Sequence, residues 1–110
     1  MTYRLPRKVL ISIFIEGRQY DWLWRRKETT RCAVAEQVRR LLDRGMERGL
    51  SGTAGRISTD VRKVLVRPHI EGRQYDWLER QRETTGRSMA DIMRELIAAE
   101  IERIEGGEVL

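Results

Sequence analysis

Arginine dominates the chemistry available to this chain: of its 22 basic residues only Lys8, Lys27 and Lys63 are lysine. A guanidinium is planar and holds five donors in a fixed fork, which suits bidentate contacts to phosphate or to a guanine edge. Codon bias would give the same skew, and an arginine on a strand, such as Arg67, is about as often simply solvated. His69 is the only histidine and Cys32 the only cysteine. A metal site of the usual His/Cys makeup therefore lacks ligands, and an intrachain disulfide is impossible. Cys32 reads as a small structural residue. Gly17 and Gly72 begin helices without phosphate-loop spacing, and no triad or paired-carboxylate arrangement is present. Recognition is expected rather than catalysis, with no enzyme activity and no cofactor.

The residues that could recognise anything are set in a repeat. Arg7-Lys8-Val9-Leu10 returns as Arg62-Lys63-Val64-Leu65, and the nine residues 15–23 return unchanged as 70–78, all at an offset of 55. The offset persists at Glu28-Thr29-Thr30 and Glu83-Thr84-Thr85, and at Ala35/Ala90, Arg39/Arg94 and Leu41/Leu96. Two copies are too few for a solenoid, which stacks three or more units. The expectation is one chain carrying both halves of what was a symmetric homodimer.

Size supports a shared core, because a unit of about fifty residues buries too little surface to stand alone. Charged residues make up 35% and apolar residues 40%, at a net charge of +5, as in a folded basic protein. The charge is unevenly divided: residues 1–55 carry 12 basic and 6 acidic groups (+6), residues 56–110 carry 10 and 11 (−1). The ligand of the two halves therefore need not be symmetric. The lone cysteine suits a reducing interior, and no run of eighteen apolar residues or signal-like start occurs, so a soluble, cytoplasmic, nucleoid-associated location is expected.

Each half reads as strand, helix, helix. Residues 8–15 alternate, with Val9, Ile11, Ile13 and Ile15 on one face and Leu10, Ser12 and Phe14 on the other. Helices are predicted at about 18–27, with Tyr20 and Leu23 towards a core and Trp24 either there or in a one-sided surface patch, and at about 33–46, with Val34, Val38, Leu41 and Leu42 inward; Thr29-Thr30 interrupts between them. The second half repeats this as a strand at 63–70 and helices at 73–82 and 88–104. Met89, Ile92, Met93, Leu96, Ile97 and Ile101 form the last apolar stripe. Residues 1–48 and 62–110 are thus two repeats of one intertwined domain, joined by a Gly/Ser/Thr linker at 49–61. A short basic arm covers 1–7, and Gly106-Gly107 should stop the last helix. A lone strand is costly unless paired, and its partner here is its own repeat. The fold class expected is mainly α with one two-stranded antiparallel ribbon, in the order β-α-α-β-α-α. Pro68 cannot donate to a ladder, so its nitrogen is predicted to face away from the partner strand. Trp22 and Trp77 are expected to close the edge of the core, and the acidic run Glu100, Glu102, Glu105, Glu108 to face solvent.

In this order, and in Gly86-Arg87-Ser88-Met89-Ala90-Asp91-Ile92-Met93-Arg94, the chain resembles the ribbon-helix-helix (MetJ/Arc type) DNA-binding family as a tandem pair. Ser88 with Asp91 also makes sense as a capping-box-like start. The resemblance implies a ribbon entering the major groove of double-stranded DNA, with alternate outward side chains on base edges. The base readers would be Leu10, Ser12 and Phe14 with Leu65, Arg67 and His69, Arg67 gripping O6 and N7 of a guanine. Phosphates would be held at the helix starts by Arg31, Cys32, Arg87, Ser88 and Met89, and at the strand starts by Arg7, Lys8 and Lys63. The sequence departs from the family where Leu10, Phe14 and Leu65 put apolar groups on the reading face; thymine methyls would account for one or two. In the first copy Arg31-Cys32-Ala33 replaces Gly86-Arg87-Ser88, without the capping serine.

The resemblance implies a transcriptional repressor, with further copies of itself on adjacent sites as second partners; because the halves differ, Ser12 against Arg67 and Phe14 against His69, an imperfectly palindromic site is expected. Two alternatives keep the fold: a protein-interaction module using the apolar face and Trp24, and an antitoxin, against which counts the short segment after Arg103. Pairing of the repeats within one chain or between swapped chains is open at this level.

Overall fold

The computed structural model of the chain describes residues 8–50 and 62–106; the expected basic arm, residues 51–61 of the expected linker, and residues 107–110 lie outside the described residues. Their order is β1 (Lys8–Leu10), β2 (Ile13–Glu16), α1 (Gly17–Thr30), α2 (Val34–Arg48), β3 (Lys63–Val66), β4 (His69–Glu71), α3 (Gly72–Thr85) and α4 (Met89–Ile101), which a π-helical turn, Glu102–Gly106, extends. The described chain is mainly helical, with two small antiparallel strand pairs, β1 with β4 and β2 with β3.

Both pairs obey one register. Leu10 faces His69 and Ile13 faces Val66, and the residue numbers of every facing pair add to 79. The strands expected at 8–15 and 63–70 are therefore each cut in two at the same level. Pro68 is the cause. The Ile11 N–H donates to the Pro68 carbonyl at 3.1 Å, and the Gly17 N–H to the Arg62 carbonyl at 2.9 Å. Odd-numbered residues of the first strand thus sit in the hydrogen-bonded pairs, where each partner normally both donates and accepts. Pro68 has no N–H to return. The expectation that its nitrogen faces away is overturned: it faces the Ile11 carbonyl, and the ladder breaks there.

Alternation sorts the strand side chains as expected. Ile11, Ile13, Ile15, Val66 and Ile70 are buried and Val9 and Val64 partly so, in one cluster with Leu23, Val38, Leu41 and Leu42 of the first half and Leu78, Ile92, Met93, Leu96 and Ile97 of the second. Neither half owns a separate core. Each fully buried Leu or Ile contributes about 1.5–3 kcal/mol relative to exposure, so separating the halves would expose most of the apolar burial at once. Trp22 and Trp77 are buried at 7% and 8% exposure, as expected of edge-closing residues, whereas Trp24, open in sequence between core and surface patch, is 41% exposed.

The helices begin and end on local signals. Glu16 with Gln19 and Glu71 with Gln74 form reciprocal capping boxes at α1 and α3. These glutamates belong to the identical stretch but were not read from sequence as caps. Thr29 and Thr30 do not interrupt: they form the last turn of α1, their hydroxyls donating to the Arg25 and Arg26 carbonyls at 2.8 and 2.6 Å. A left-handed residue then stops each helix, Arg31 (φ 62°) after α1 and Gly86 (φ 75°) after α3. For Arg31 that conformation costs about 1–2 kcal/mol, which glycine avoids. α4 begins where Ser88 Oγ accepts the Asp91 N–H at 3.1 Å. The acidic end is not merely a solvated run. Glu100 is held by Arg44 and Arg103, and Glu105 accepts the Trp22 indole N–H at 3.1 Å. Among the described residues no helix is long and apolar enough to cross a membrane.

Candidate functional site

The register and the repeat together locate a local two-fold axis. Facing residues add to 79 and equivalent residues differ by 55, so carrying the register across the break between the strand pairs brings Ser12 level with Arg67, the one pair that maps onto itself. The pair falls between hydrogen-bonded ones, where Cα atoms approach to about 4.5 Å and side chains lie close. Leu10 opposite His69 flanks it on one side and Phe14 opposite Leu65 on the other. All six side chains are exposed, Leu10 and Phe14 at 51% and Leu65 at 41%. The six residues proposed from sequence therefore form one outward strip, three facing pairs and roughly 14 Å long at about 3.4 Å per residue. The side chains of Ser12, Arg67 and His69 have no hydrogen-bond or ion-pair partner among the described residues.

The strip is held at both edges by residues missed from sequence. Arg94 donates to the Phe14 carbonyl, and its equivalent Arg39 to the His69 carbonyl, each at 2.8 Å. Gln19 of the first capping box donates to the Arg94 carbonyl and Gln74 of the second to the Arg39 carbonyl, each at 3.1 Å. Helix caps, second helices and strand edges are thereby linked in one network, repeated about the axis. All four residues are identities at the repeat offset, and that was the available signal.

The two helix–helix corners differ. At α1–α2, Arg31 is exposed and has no carboxylate partner among the described residues; the Cys32 N–H turns back to Thr30 Oγ1 at 3.3 Å, and Ala33 supplies no side-chain cap. At α3–α4, the Arg87 N–H turns back to Thr85 Oγ1 at 3.2 Å, and the Ser88 hydroxyl is engaged with Asp91. The Arg87 guanidinium binds Asp91 at 2.7 Å and also the buried carboxylate of Glu95. Its hydrogen bonds hold the Asp91 carboxyl below the usual range, and those two acids raise Arg87 above its ordinary value. Arg87 therefore spends its charge inside the corner, and Arg31 is the more available cation despite its poorer cap. Met89 is partly buried at the start of α4. Lys8 and Lys63 are exposed at the strand ends, opposite Glu71 and Glu16, and Arg7 lies outside the described residues.

Beside the strip, Trp24 stacks on Tyr20 with ring centroids 6.1 Å apart, and the Lys27 ammonium sits 4.2 Å from its ring. The groove between them and the strands is lined by Leu65, Pro68 and Val34. Among the described residues no group of three His, Cys, Asp or Glu could hold a metal ion. No protein-family model, curated protein or solved structure matches the chain.

Proposed function

We infer that the chain is a tandem ribbon-helix-helix protein, a pseudo-dimer fused in one polypeptide, that binds double-stranded DNA and represses transcription. The observation that carries this reading is the strip centred on Ser12 and Arg67, a narrow two-stranded finger standing on a helical platform. The major groove, about 12 Å wide, admits a two-stranded ribbon. On this reading Ser12, Arg67 and His69 supply donors and acceptors to base edges. On the same reading the starts of α2 and α4, where Ala33 and Ser88 are exposed, direct backbone N–H groups at phosphates, with Arg31, Lys8 and Lys63 adding charge. The chain then acts by occupying its site, with no bond made or broken.

Duplexes selected from a random pool, titrated with purified protein at several salt concentrations, test this. Affinity should fall with a log–log slope of about −0.9 per phosphate neutralised, and selected duplexes should bind roughly a thousand-fold or more tighter than random ones. Flat salt dependence with no sequence preference would falsify the reading. The exposed Leu10, Phe14, Leu65 and Trp24 favour a second one, a protein-interaction module of the same fold, whose apolar interface would be insensitive to salt.

A further inference from the structure

The two ends of the strip differ in chemistry. Towards one end Phe14 faces Leu65, a pair without a polar side-chain atom; towards the other Leu10 faces His69. Facing side chains have Cβ atoms about 4.5–5.5 Å apart, so Phe14 and Leu65 form one continuous apolar surface. The helix beside that end presents Trp24 under the Lys27 ammonium, and Arg31 lies one turn further along the chain. At the equivalent positions beside the other end, Glu79 pairs with Arg82 at 2.7 Å and accepts the Tyr75 hydroxyl at 2.8 Å. One end is thus apolar on both strands, with Lys27 on the helix beside it and Arg31 at that helix's end; the other sets a leucine against a histidine, and the helix beside it carries a neutralised Glu79–Arg82 pair where the first has Trp24 and Lys27. An apolar partner protein would account for the first feature without the second. A polyanion that presents small apolar groups accounts for both.

Along the edges of base pairs in the major groove, the apolar group on offer is the C5-methyl of thymine, and 5-methylcytosine carries the same group. We propose that Phe14 and Leu65 read pyrimidine C5-methyl groups, with thymine as their source, and so give the bound sequence a direction. The inference rests on the DNA-binding reading above. The methyl-bearing bases lie under Phe14 and Leu65, the base contacted by Arg67 lies at the centre, and the base opposite His69 offers a hydrogen-bonding edge. A two-fold protein descended from a homodimer would then bind a site whose halves are chemically unlike. The departure of Phe14 and Leu65 from a polar reading face becomes the device that sets orientation.

The test replaces thymines of a selected duplex one at a time by deoxyuridine, which deletes the methyl and keeps the base pair. Affinity of the full chain should fall about four-fold at one or two adjacent positions in one half-site, the roughly 0.8 kcal/mol of one buried carbon at 1.4 kcal/mol per factor of ten. Phe14→Ser and Leu65→Ser, whose side chains are exposed and leave the core intact, should weaken binding and abolish this sensitivity. A cytosine placed at the sensitive position should regain part of its affinity when methylated at C5. Tight, sequence-selective binding that ignores deoxyuridine everywhere overturns the methyl assignment and leaves the DNA-binding reading standing. Equal sensitivity in both half-sites, or sensitivity unchanged in Phe14→Ser and Leu65→Ser, also overturns it. Failure to retain any duplex overturns both.

Discussion

The Arg94 guanidinium reaches across from the second half to the carbonyl of Phe14 in the first, at 2.8 Å, as Arg39 reaches to His69 in the other direction. Both carbonyls belong to pairs that do not hydrogen-bond across the strands, so they point outward from the ribbon edge and need an external donor. Both arginines are partly buried. Replacing Arg94 by Ala should therefore cost about 1.5–3 kcal/mol, the range for a hydrogen bond to a charged donor. Arg94→Lys should recover only part, since a lysine lacks the fork that also reaches Asp91 at 3.4 Å. Urea unfolding of the three proteins gives the comparison. Equal midpoints for Arg94→Ala and the parent would show that water serves the carbonyl as well.

Pro68 sets two effects against each other. Pro68→Val would supply the N–H that the Ile11 carbonyl lacks, worth about 0.5–1.5 kcal/mol. It would also free the unfolded chain, costing about 0.4–1 kcal/mol. The two nearly cancel, so stability should change by less than about 1 kcal/mol. Local structure should respond more clearly: the new amide at 68 should exchange slowly with deuterium, and the two strand pairs should join into one. Fast exchange at that amide would refute the register assigned here to Ile11 and Pro68.

Much of this architecture was legible because alternation and duplication are strong signals. The inward set Ile11, Ile13 and Ile15 and the outward set Leu10, Ser12 and Phe14 follow from a period of two, and the buried stripe of α4 from a period of 3.6. Trp24 was open between core and surface patch because helical spacing cannot tell a core position from one at the rim, where its ring lies over Tyr20 with a lysine above it. The direction of the Pro68 nitrogen depends on the parity of the pairing, which no single strand encodes. In sequence Arg87 reads as part of a phosphate-holding helix start; its guanidinium is bound by Asp91 and Glu95, one and two turns away on the same helix face, carboxylates whose convergence on it the sequence does not single out.

That corner should respond to acid. The bond from Arg87 holds the Asp91 carboxyl below its ordinary value of 3.8. A depressed folded-state value means the unfolded chain takes up the proton first, so this contribution is complete above about pH 4 and is lost as pH falls through the folded value. Arg87→Ala removes a guanidinium from the buried Glu95 as well, and a cost on the order of 3 kcal/mol is expected at neutral pH. Its unfolding should then show a shallower loss of stability than the parent's as pH falls below about 4. A parallel pH profile in the two proteins would detach Asp91 from Arg87 energetically.

Arg67 and Ser12 occupy the same local two-fold, yet only one of them carries a charge. On the DNA-binding reading, Arg67→Ala should cost about 1–3 kcal/mol, concentrated at one guanine at the centre of the selected site. Arg67→Lys separates charge from geometry. The ammonium should keep the salt dependence, but it cannot reproduce the planar fork on O6 and N7, so preference for that guanine should weaken. Ser12→Arg sets a second guanidinium on the axis and makes the centre two-fold symmetric. Selected sites should then acquire a second central guanine on the opposite strand, while their flanks, read by unlike pairs, stay asymmetric. Loss of affinity spread evenly over all sequences in Arg67→Ala would make that side chain a phosphate contact and remove the base reader from the centre of the strip.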